Sequence, residues 1–230
     1  MTVNDKPLFL YEELMLLALR DEEGTIATGY IEYAVAGAIM AELLLTQRIS
    51  LENSRKQLVQ VQNAETTDDP LLDECLNKIM DGKRRGSLRT WVSRVAGIKN
   101  LKHKVARRLC ERGILHADED KVLFIFKRRI YPQINPLPEK EIVERLRMAI
   151  FTDSDQLDPR SVVLISLADG VGLLGQTFGR KEVKARRERI KTIVKGELTG
   201  QVTKEVISAC QTAVLVAAIM PAMVVTTVNT

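Results

Sequence analysis

Histidine, cysteine and aromatic residues are scarce in this sequence: two, three and 4% of 230 residues. Cys75, Cys110, Cys210, His103 and His116 match no common zinc spacing and give no disulfide framework, which leaves no metal centre and points to a reducing, cytoplasmic compartment. The cysteines read as small buried apolar residues. No phosphate-binding P-loop and no serine elbow occurs, and neither histidine has a nearby Cys or Ser partner, so both read as solvated surface residues. The glycine-rich DGVGLLGQTFG at Asp169–Gly179 lacks the dinucleotide spacing and follows a helical pattern, which makes it a site of tight packing and turning. The expectation is a protein that is not an enzyme and carries no cofactor.

A strong excess of either charge is also missing. With 34 basic and 30 acidic residues the net charge is +4, so anion binding has to come from local clustering, which occurs at Lys83–Arg112. Long apolar runs are few. Within Val206–Val225 only Ala213–Val225 is free of polar residues, a bilayer span needs about 20 apolar residues, and Pro221 and Gln211 weaken it further, so a buried final helix is predicted. The opening MTVNDKP has no apolar signal core, which divides the chain into a short tail, residues 1–7, and one domain, residues 8–230.

Within that domain, helical periodicity dominates. Leu8–Arg20 predicts a buried first helix, Ile31–Leu45 a second with Gly37 as a close-packing point, and Arg48–Glu52 with Leu58–Val61 a small two-stranded element. Asp69 and Pro70 open a third helix, which ends in the basic linker KRRG, the expected flexible spot. Trp91, the single tryptophan, anchors the core from a short helix at Leu88–Ala96. Glu139–Phe151 predicts another helix, Val162–Leu174 a central buried one, and Lys181–Lys195 a charged one. The fold class is therefore mainly α: a helical bundle around a buried central helix, with short β-hairpins, one of them protruding.

The segment GIKNLKHKVARRLCERGILHADEDKVLFIFKRRIY, Gly97–Tyr131, joins the most basic helix to the most strand-like stretch. Leu101, Val105 and Leu109 recur every four residues and point inward, while Lys99, Lys102, Lys104, Arg107, Arg108 and Arg112 occupy the remaining circumference. Gly113 stops the helix, Asp118–Asp120 forms an acidic turn, and Val122, Leu123, Phe124, Ile125 and Phe126 form a strand leading into Lys127, Arg128 and Arg129.

LFLYEELMLLALRDEEGT, AGAIMAELLLTQRISLE, DPLLDECLNKI, VARRLCERGIL and DPRSVVLISLADGVGLL occur in that order between Leu8 and Met220. Together they resemble the successive signatures of the Golgi phosphoprotein 3 family, here in a prokaryotic-type member. The resemblance implies a mostly helical domain with a protruding hairpin that binds phosphatidylinositol 4-phosphate on a basic face, self-associates through the hairpin, and serves membrane-protein clients as a sorting adaptor. It carries the headgroup pair onto Lys99 and Lys102, three apart and so expected on one helical face where a single phosphate can meet both, with Lys104, Arg107 and Arg108 as a supporting basic face. A further family arginine falls at Ala36, and the family's aromatic contact falls to Tyr30 or Tyr33.

The sequence thus reads as a phosphoinositide- or anionic-phospholipid-binding peripheral membrane protein and homo-oligomer. Two alternatives stay open: a winged-helix-like DNA-binding protein, because helix, short helix, basic helix and strand come in that order, and a protein-interaction scaffold without lipid binding. Nucleic acid is the less expected partner, since the helix is rich in phosphate-binding lysine and arginine and offers only Asn100 and His103 as base readers.

Overall fold

The computed structural model describes residues 6–20, 24–26, 31–122, 126–154 and 157–197, with the backbone alone at Arg20, 120–122 and 126–128. The predicted final helix, together with Cys210, lies outside these residues.

Two helices that are apolar almost all round can satisfy their surfaces only in a core. After α1 (Leu10–Ala18), these are α2 (Ile31–Leu45) and, much later, α7 (Pro159–Gly170), which pack on α1 and on each other. Between them come α3 (Pro70–Met80), α4 (Leu88–Ala96), α5 (Leu101–Glu111) and α6 (Leu137–Phe151); α8 (Leu173–Thr177), α9 (Arg180–Ala185) and α10 (Arg187–Val194) follow. The predicted central helix is α7, buried from Ser161 through Ala168. It is shorter than its apolar run, because Gly172 adopts φ +78° and starts α8 in a new direction. The predicted Lys181–Lys195 helix is likewise two helices, broken at Arg186.

Starts are set by local chemistry. Asp69 accepts from the amides of Leu71 and Leu72 with Pro70 at the first position, Ser87 accepts from Thr90, and Asp158 accepts from Ser161. Trp91 is buried as expected, with the Arg94 guanidinium 4.5 Å above its ring. Cys75 is buried, whereas Cys110 is only half-buried.

Among the described residues, three antiparallel strand pairs decorate the bundle. β1 (Leu19–Arg20) pairs with β2 (Thr25–Ile26), so the first helix stops at Ala18 and does not run to Arg20. β3 (Ile49–Leu51) pairs with β4 (Val59–Val61), as the alternating pattern predicts. The KRRG linker is tied at its end and not loose: the Val59 amide donates to the Gly86 carbonyl at 2.9 Å, and Leu58 bridges to Ser87.

The third hairpin joins β5 (Asp118–Val122) to β6 (Phe126–Ile130) and corrects two expectations. Asp118–Asp120 is strand, not turn, and Val122–Phe126 is not one strand, because Val122 pairs with Phe126 across the hairpin. Leu123, Phe124 and Ile125 lie outside the described residues. The backbone register sets Glu119 opposite Arg129, Asp120 opposite Arg128 and Lys121 opposite Lys127.

Candidate anion-binding face

α5 folds as its period demands: Leu101, Val105, Ala106 and Leu109 are buried. Its cations do not all face solvent. Arg112 is buried and donates to Glu12 of α1 at 2.8 Å. Arg108 meets the fully buried Asp69 at 3.1 Å and also Glu111 at 3.3 Å. Lys104 pairs with Glu74 of α3 at 2.5 Å, and Lys102 with Glu32 of α2 at 3.0 Å. Among the described residues, Lys99 and Arg107 have no ion-pair partner, and both are exposed.

Lys99 and Lys102 are not stacked on a helical face. Lys99 precedes α5, in a connection closed by Asn100 at φ 59°, whereas Lys102 is on the helix beside α2. Lys99 instead joins Lys104 and Arg107, together with Lys78 from the last turn of α3, around an open depression of about 590 Å³ floored by Gly97 and Ile98. Glu74 is the acid there, 3.9 Å from Lys78. A second depression of about 320 Å³ continues it, sharing Glu74, Lys104 and Arg107 and adding Arg108 and Glu111. Lys78 is on a different helix from Lys104 and Arg107, so charge periodicity along α5 does not reveal it.

One turn before Arg107 on the same face of α5 stands His103, half-buried and not simply solvated: its Nδ1 lies 2.8 Å from the Tyr131 hydroxyl. Burial lowers its pKa first, with Lys102 and Arg129 next, and Glu32 opposes them. Tyr131 closes the hairpin base, and its amide donates to the Gly24 carbonyl at 2.7 Å. The hairpin is therefore fastened directly to the basic helix. Exposed Arg129, in β6, extends the positive surface onto it.

The aromatic candidates contribute less. Tyr33 is half-buried and packs against the core, and Tyr30 lies outside the described residues. Ala36 is wholly buried in α2, so a cation is missing where the resemblance locates one.

The geometry defines a class: a mainly helical domain whose braced basic helix adjoins a hairpin, with no described helix long and apolar enough to cross a membrane. Residues 10–210 match the model of a family described as Golgi phosphoprotein 3 (GPP34), and the chain belongs to that family. It is similar to a vacuolar protein sorting-associated protein 74 from Eremothecium gossypii, with 24% identity over 213 residues covering 78% of this chain. The match covers 64% of that protein, so the chain spans somewhat less than two thirds of its relative's length.

Proposed function

We propose that this protein adsorbs to anionic phospholipid surfaces, phosphoinositides among them, through the α5 face and the adjoining hairpin, and that it acts there as a sorting adaptor and not as a catalyst. The observation that carries this reading is the convergence of Lys78, Lys99, Lys104 and Arg107 on one open depression in which Glu74 is the acid. A basic residue near an anionic bilayer contributes about 1 kcal/mol, and the depression is too open to enclose a drug-sized ligand. Lys99 and Arg107, without internal partners among the described residues, are free to supply that term; Lys104 and Lys102 are partly neutralised by Glu74 and Glu32. Because Ala36 supplies no cation, binding is weaker and less headgroup-selective than a fully basic pocket would give. Apolar contact from the Val122–Phe126 end of the hairpin supplements it.

Flotation with vesicles of neutral lipid, with added phosphatidylserine, or with added phosphatidylinositol 4-phosphate tests the reading at low and raised salt. Wild type should float with both anionic vesicles and lose binding as salt rises. Lys99→Glu/Arg107→Glu should remain at the bottom while retaining its fold, since both side chains are exposed. Equal flotation on neutral lipid, or an unaffected double variant, would overturn the proposal. Shift of a DNA duplex without flotation would favour the winged-helix alternative.

A further inference from the structure

Histidine titrates near neutral pH, and whether its proton matters depends on what surrounds the ring. His103 sits on the outer side of α5, hydrogen-bonded to Tyr131 at the base of the hairpin. The charged groups acting on it come from every neighbouring element: Lys102 and Arg107 from α5, Arg129 from β6 and Glu32 from α2. Burial weighs most against a proton on this ring; the three cations add to it, and the single carboxylate opposing them is already 3.0 Å from Lys102. An anionic surface brought against the same cations offsets their share of that cost.

We propose that His103 is a proton-operated contact of the lipid-binding face: the approach of lipid phosphates to Lys102, Arg107 and Arg129 draws a proton onto its imidazole, so that adsorption tightens as the pH falls. The inference rests on the membrane-binding reading above and adds its regulation. The Tyr131 contact survives the change. Neutral Nδ1 can accept from the hydroxyl or donate to it, and protonated Nδ1–H donates to the same oxygen, so the hairpin base keeps its anchor in both states. Protonation thus adds charge without unfastening the structure. The sign follows from linkage. Phosphate contact raises the imidazole pKa, binding takes up a proton, and affinity climbs as pH falls through the bound-state pKa and levels off below that of the free protein.

The ligand for the test is phosphatidylglycerol in phosphatidylcholine vesicles, because its phosphodiester keeps one negative charge between about pH 5 and 8 while lysine and arginine remain protonated. Wild-type partitioning should increase about fivefold from pH 8 to pH 5, the value of one added cation at such a surface. His103→Gln should give a flat profile at the alkaline level, and His103→Lys a flat profile near the acidic level, each with an unchanged helical dichroism spectrum. In a second readout, the His103 Cε1–H resonance, assigned by its loss in His103→Gln, should titrate at higher pH with vesicles than without. Wild type that adsorbs equally at all pH values, a His103→Gln profile that still rises fivefold, or a His103 titration unmoved by vesicles overturns the inference while leaving the membrane reading standing. Absence of wild-type adsorption at every pH overturns both.

Discussion

Arg112 donates from Nη1 to Glu12 Oε2 at 2.8 Å, joining two buried side chains that are 100 residues apart in the chain. The same carboxylate oxygen accepts from the Phe9 amide at 2.9 Å, so one acid starts α1 and fastens it to the end of α5. Removing one partner leaves a charge or a polar group stranded away from water. Arg112→Met should therefore cost about 3 kcal/mol in urea unfolding at neutral pH, and adding Glu12→Gln should recover part of that loss.

Glu12 also makes stability depend on pH. Burial raises its pKa to about 7 against an ordinary 4.5, with the Phe9 amide and Arg112 pulling the other way. The folded state thus holds this proton more tightly than the unfolded chain does. Its contribution is complete below about pH 4.5 and is lost as pH rises to about 7. Wild type should therefore lose stability relative to Glu12→Gln as the pH rises from about 4.5 to about 7, on top of the constant cost that an unpaired Arg112 gives the variant. Identical pH profiles of the two proteins over that range would contradict the assignment.

Gly24 and Gly172 both have positive φ but differ in surroundings. A Cβ on Gly24 would lie 2.2 Å from the Pro132 nitrogen, whereas one on Gly172 meets nothing within 4 Å. Gly172→Ala should cost about 1 kcal/mol, the left-handed backbone penalty alone. Gly24→Ala should cost more than about 2 kcal/mol, since the Tyr131–Pro132 backbone must move as well. Thermal denaturation of the two variants side by side measures the difference.

Self-association is expected through the hairpin, whose strands β5 and β6 form a two-stranded sheet. Deleting Val122–Tyr131 should lower the mass found by light scattering. A monomeric mass before and after deletion would refute the expectation.

The sequence made legible what depends on neighbours three or four residues away. Leu101, Val105 and Leu109 are buried as their spacing predicts, and Asp69–Pro70 begins α3 where the cap signal falls. It could not show which cations on α5 were already engaged, because Glu12, Glu32, Asp69 and Glu74 reach them from three other helices. The depression that gathers Lys78 with Lys99 is likewise a product of tertiary packing, and Asn100 at φ 59° takes Lys99 off the helical face that three-residue spacing suggests it shares with Lys102. Composition misled at Val122–Phe126: apolar, aromatic residues there suggest a strand, yet the backbone pairing assigns the strands to DEDKV and FKRRI. His103 read as a solvated residue because its partner, Tyr131, is 28 positions away.

The long-range arginine pairs have a further consequence for the order in which the chain folds. Glu12 and Glu13 on α1 are met by Arg112 and Arg145, and Glu42 on α2 by Arg160. With synthesis at about 5–20 residues per second, the 100 residues between Glu12 and Arg112 take roughly 5–20 s to make. Over that interval the ionised acids of α1 lack the partners that offset their burial, a cost that opposes docking of α1 on α2 before α5 has been made, and the pairs of Glu13 and Glu42 wait longer still, for α6 and α7.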